Sequence, residues 1–97
     1  MPRPRKRRRL ARAPRREIYK PASVPLERLK QVILLPEELE ALRLADLDGL
    51  SQQEAAAQMG VSRSTFQRIL QRARRQVALA LVEGQALRLG ELAPEQG

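Results

Sequence analysis

Ala56 and Gly60 stand four residues apart inside the run QQEAAAQMGVSRSTFQRILQ, residues 52–71, and no other feature of the chain restricts its fold as strongly. A small residue lets two helices cross closely, and a glycine four positions on supplies a turn that tolerates positive φ. Ala55, Met59, Val61, Phe66 and Ile69 fall where apolar side chains would lock the second helix onto the first. Met together, these requirements predict a helix-turn-helix over residues 51–82. An ordinary helical hairpin that binds nothing is the plainer alternative, and the outward face of the second helix has to decide between them.

The flanking residues carry start and stop signals. Ser51-Gln52-Gln53-Glu54 reads as a capping box before an alanine-rich helix that runs to about Gln58. Met59-Gly60-Val61 reads as a tight turn, and Ser62 as the N-cap of the longest helix. That helix shows an apolar stripe of Phe66, Ile69, Leu70, Ala73, Val77, Ala80 and Leu81, closed by Glu83 and a Gly84 C-cap. Upstream, Pro36 suits a first helical position, and Glu37, Glu38 and Glu40 favour a helix N-terminus. Leu39, Leu42 and Ala45 or Asp46 follow at helical spacing, joined by Leu35 and Leu47, and Gly49 ends the pattern.

The remaining segments are less regular. Pro25 can open a short helix, PLERLK, with Leu26 and Leu29 inward; 31–35 reads equally as a strand or an extended linker. In the tail, Ala86 to Leu89 is a brief apolar stretch that suits packing on the core or an oligomer contact. The expected class is all-α: a small helical helix-turn-helix domain with a flexible basic arm and room for one short strand near 31–35. The arm would span 1–17, the domain 18–89 and a flexible tail 90–97.

Composition narrows the chemistry. A chain of 97 residues supports one domain with a modest core. It has no Cys and no His, which removes disulfides, imidazole catalysis and the common zinc sites; no metal or cofactor is expected. No nucleophile–base pair stands out, so an enzyme is not expected. No apolar run is long enough for a membrane span, and no apolar segment follows the basic start as in a secretory signal. A cytoplasmic protein is the resulting expectation.

The net charge of +8 is unevenly spread. Residues 1–20 hold ten Lys or Arg against Glu17 alone, a net +9, while the rest hold nine basic and ten acidic residues, a net −1. The segment 1–17 is also broken by Pro2, Pro4 and Pro14 and has few apolar residues to offset ordering. Arg3, Arg5, Lys6, Arg7, Arg8 and Arg9 are candidates for tracking phosphates or entering a minor groove. A solubilising terminus, or an arm that binds any polyanion, are the plainer readings.

The long helix supplies the sharper signal. At 100° per residue, its apolar positions cluster within about 60° of Phe66. The opposite face carries Ser64, Arg68, Gln71 and Arg75, flanked by Thr65, Gln67 and Arg72; Arg63 and Arg74 lie nearer the core boundary. Arg can pair bidentately with guanine and Gln with adenine, while Ser62, Ser64 and Thr65 near the helix start suit phosphate. Five Arg and no acid occur between residues 62 and 76, whereas 36–54 carries six acids and one Arg. Solvated helix faces usually mix signs to gain i,i+4 pairs. The segregation therefore predicts a basic face for double-stranded DNA, with Ser62 to Arg75 as recognition helix. Tyr19 and Phe66 are the only aromatics, too few for the stacking platforms of single-strand binders.

Several motifs support a resemblance. Met1-Pro2-Arg3-Pro4, Lys20-Pro21-Ala22, Glu40 to Asp46, Gly49-Leu50, Glu54-Ala55-Ala56 and Met59 to Ile69 stand in that order, followed by Ala73-Arg74, Ala78, Ala80-Leu81, Gly84 and Ala86-Leu87. With these the chain resembles an uncharacterised prokaryotic family of small predicted DNA-binding proteins, over about nine-tenths of its length. The family's helix-turn-helix is similar to the sigma-factor region that reads the −35 promoter element. The resemblance implies a transcription-related role, as a regulator. Members often carry cysteines after the basic start; Leu10-Ala11-Arg12 stands there in this chain, so no metal or redox role carries over.

Three functions follow as expectations. The first is sequence-specific duplex-DNA binding in transcription regulation. The second is non-specific nucleic-acid binding driven by the arm. The third is an interaction module for the transcription machinery, such as RNA polymerase, through the acidic stretch Glu37 to Asp48. A homodimer through the end of the long helix or the tail is compatible with the first, because such motifs commonly act on paired half-sites.

Overall fold

The computed structural model describes residues 17–90. The chain runs through β1 (Ile18–Tyr19), a single 3-10 turn (Leu26–Arg28), β2 (Gln31–Leu34), α1 (Pro36–Leu42), a widened π turn (Arg43–Leu47), α2 (Gln52–Met59), α3 (Arg63–Glu83) and β3 (Ala86–Leu89). The molecule is mainly helical, but the expected all-α class needs correcting. A three-stranded sheet of order β1-β3-β2 closes one side, with β1 antiparallel and β2 parallel to β3.

The sheet arises from the two stretches that sequence periodicity could not resolve. Val32 pairs with Leu87 and Leu34 with Leu89. The Leu89 amide donates to the Glu17 carbonyl at 3.0 Å, and the Gly90 amide to the Leu34 carbonyl at 3.2 Å. Gln31–Leu34 is thus a strand, and the apolar tail stretch packs on the core as the central strand. The proposed PLERLK helix contracts to one 3-10 turn after Pro25, and Leu29 is already extended.

Two clusters form the core. Ala41, Leu44, Ala55, Ala56, Phe66 and Leu70 pack where α1, its π extension, α2 and α3 meet. Leu34, Ala73 and Leu89 join α3 to the sheet, and Leu42 packs against both clusters. Phe66 is fully buried at the centre of the first cluster. Met59, Val61 and Ile69 are partly buried against it, so the apolar offsets read from the sequence do lie between the helices.

Two leucines leave their expected stripes. Leu47 is 79% exposed. The Asp48 amide donates to the Arg43 carbonyl at 2.8 Å, a bond one residue longer than an α-helical one, so the widened turn carries Leu47 off the buried side. Leu81 is 76% exposed, beside Val82 at 79%. The strands are two to four residues long and do not cover this flank of α3. Leu81 instead lines a groove with Tyr19, Ala80 and Leu87.

Candidate nucleic-acid interface

The α2–α3 pair is held by residues that set its angle. Ser51 Oγ accepts from the Glu54 amide at 3.1 Å, while Glu54 Oε1 accepts from the Ser51 amide at 3.0 Å. This reciprocal box starts α2. Gly60 ends it with φ at +73°, the left-handed conformation that favours glycine. Ala55 and Ala56 are buried, and their small side chains let α2 approach α3 closely. Ser62 then starts α3, its Oγ accepting from the Thr65 amide at 3.1 Å and donating to Thr65 Oγ1 at 3.0 Å. Ser64 Oγ lies 3.3 Å from Ser62 Oγ. Ser62 and Thr65 are therefore engaged in capping, and Thr65 is half-buried.

The arginines of α3 divide into two groups. Arg63, Arg68 and Arg75 are exposed, as are Gln67 and Gln71, and their side chains make no hydrogen bond or ion pair with another described residue. Arg74 donates from Nε and Nη2 to both carboxylate oxygens of Asp46, at 3.1 and 2.6 Å. Those bonds hold the Asp46 carboxyl below its ordinary value and raise the Arg74 guanidinium. Arg72 forms an ion pair with Glu38, Nε to Oε2 at 2.6 Å.

Charge segregation in the sequence is thus partly compensated in space. Two of the five α3 arginines are paired with acids of α1 and its extension, so the absence of acids between 62 and 76 overstated the free positive charge. Arg43 likewise takes up Glu40 and Asp48, and its hydrogen bonds to Glu40 raise its pKa. Ser64, Arg68, Gln71 and Arg75 are all exposed, with exposed Gln67 beside them and Arg63 nearer the core boundary. Arg3, Arg5, Lys6, Arg7, Arg8 and Arg9 lie outside the described residues. The root of that segment is placed, however. Glu17 is bonded to Leu89, which shares a buried cluster with Ala73, midway along α3.

Sequence patterning does not reveal Glu38 as the partner of Arg72. As a charge at a helix start it accepts the Leu35 amide at 2.9 Å. Leu35 has no side-chain acceptor to reciprocate, so only half of a capping box forms. The unforeseen feature is depth: Glu38 is 1% exposed, the one buried charged residue among those described. A reach across 34 positions leaves no periodic signal.

Among the described residues, no group of His, Cys, Asp or Glu is arranged to hold a metal ion, and no helix is long and apolar enough to cross a membrane.

Fold and surface define a small, mainly helical chain with one exposed polar and basic helix face. The chain belongs to the family described as "Protein of unknown function DUF134", whose model matches residues 1–93. It is 56% identical over 87 residues to a UPF0251 protein of Vibrio parahaemolyticus, covering 90% of this chain and 91% of the relative. A UPF0251 protein of Dehalococcoides mccartyi is 56% identical over 89 residues, covering 92% and 76%. One from Pelotomaculum thermopropionicum is 51% identical over 89 residues, covering 92% and 67%. No solved structure matches.

Proposed function

We propose that this chain binds double-stranded DNA sequence-specifically, with α2 and α3 acting as a helix-turn-helix, and that it regulates transcription in the manner implied by its likeness to the −35-reading region of sigma factors. The observation that carries the reading is the face of Ser64, Arg68, Gln71 and Arg75. Its arginines and glutamine have no partner among the described residues, yet they sit on a helix fixed by a buried Phe66 and a serine cap. Free Arg and Gln side chains on a rigid helix suit the donor and acceptor edges of the major groove, which is wide enough to admit an α-helix. The net +9 of residues 1–20 supports contact of that segment with phosphates. Its charge would add affinity and salt dependence rather than sequence preference.

Reading the acidic stretch as a docking surface for the transcription machinery gains less support. Glu38, Glu40, Asp46 and Asp48 are all engaged by arginines of this same chain.

Selection from a random duplex pool tests the proposal. The expected result is one preferred sequence, with Arg68→Ala and Gln67→Ala each costing about 1–3 kcal/mol at a single base position. Equal weakening on all duplexes would refute the recognition-helix assignment. If a chain lacking residues 1–17 lost all affinity and preference, non-specific binding through the arm would replace it.

A further inference from the structure

Glu38 presents a puzzle of placement. Its carboxylate lies in the core at the start of α1, where an ionised group is costly unless paired. One oxygen accepts the Leu35 amide at 2.9 Å, and the other meets Arg72 Nε at 2.6 Å. The two ends of the pair differ sharply: the Glu38 side chain is 2% exposed and that of Arg72 56%. Stability alone explains this poorly, since buried ion pairs are often replaceable by apolar groups without loss.

The neighbouring pair makes the contrast. Arg74 gives both Nε and Nη2 to Asp46, which occupies one edge of its guanidinium. Arg72 is met at Nε, and neither of its terminal nitrogens makes a hydrogen bond with a described residue. Position adds a second argument. Arg72 follows Arg68 by four residues, along the edge of the free face. It also follows Ser64 by eight residues, roughly 12 Å along a helix axis. The major groove is about as wide. With the N-terminal turns of α3 at the bases, Arg72 reaches the groove wall, where phosphates run.

We infer that Glu38 is a positioning residue for DNA recognition, holding Arg72 by its inner nitrogen so that the outer nitrogens meet a backbone phosphate and fix how α3 seats in the groove. This rests on the DNA-binding reading above. An arginine already held loses less freedom on contact, and a fixed phosphate contact sets register for the base-reading side chains without reading sequence itself.

The test uses the full chain, its selected duplex and a scrambled duplex. Glu38→Gln keeps an oxygen for the Leu35 amide but loses the charge that holds Arg72. Its preference for the selected over the scrambled duplex should fall on the order of five- to tenfold; in an Arg72→Lys background the same change should add less than about twofold, the signature of one residue acting through another. Arg72→Lys leaves Glu38 a cation but offers no planar fork. Arg72→Gln removes the charge itself, and should make the slope of log affinity against log salt shallower by about 0.9, one phosphate contact. That measurement stands by itself should Glu38→Gln fail to fold. An unchanged slope for Arg72→Gln, an unchanged preference for Glu38→Gln, or an equal loss in both backgrounds would overturn the inference while leaving DNA binding intact. A wild-type chain that binds no duplex overturns both.

Discussion

Arg63, Arg68 and Arg75 share their chemistry with Arg72 and Arg74 and differ in what surrounds them. Stability and binding should therefore separate along that line. Arg68→Ala removes no described contact and should leave the unfolding free energy within the roughly 0.5 kcal/mol expected of a neutral surface change. Phe66→Ala empties the centre of the first cluster and should cost about 3–5 kcal/mol in denaturant unfolding. Asp46 carries a pH signature. Its folded pKa lies below the ordinary 3.8, so the Arg74 pair stabilises the fold above that value and is lost as pH falls through the lowered one. The pair is exposed, so the contribution is at most about 1 kcal/mol. Stability measured from pH 6 down to 2 should show a smaller acid loss in Asp46→Asn than in the wild type.

The two helices α2 and α3 were legible because each is bracketed by local chemistry: Ser51 with Glu54, Gly60, Ser62 and Gly84. These signals act within a few residues and need no knowledge of the rest of the chain. Ser62→Ala should cost about 1 kcal/mol and fray the first turn of α3, seen as faster amide exchange at Thr65 and Phe66. Gly60→Ala should cost about 1–2 kcal/mol in unfolding experiments. Nothing lies within 4 Å of an added Cβ there, so the cost is one of backbone conformation. The strands were not legible for the converse reason. Gln31–Leu34 and Ala86–Leu89 are too short for an alternating pattern to stand out, and each is specified by the other across the length of three helices. The same holds for the site: one helix wheel showed which face is outward, whereas the pairing of Arg72 and Arg74 depends on where α1 lies in space.

At the scale of the molecule, the sheet joins the two ends of the described chain. β3 lies between β1 and β2, and Leu89 closes the cluster that fixes α3 at Ala73. Ending the chain at Gln85 removes both strand pairings among the described residues, and the remaining helices should show exchange-labile amides and lose their cooperative thermal transition. Such an order has a consequence during synthesis. A ribosome extrudes β2 roughly fifty residues before β3, its partner among the described residues, so Val32 and Leu34 stay unpaired while all three helices emerge, and loop closure comes late. Ribosome-bound chains stalled with residue 85 just outside the exit tunnel should be cut readily by protease, and chains stalled a few residues later, once Leu89 is free to pair, should resist. The last short strand to appear would then decide when the nascent chain becomes a finished protein.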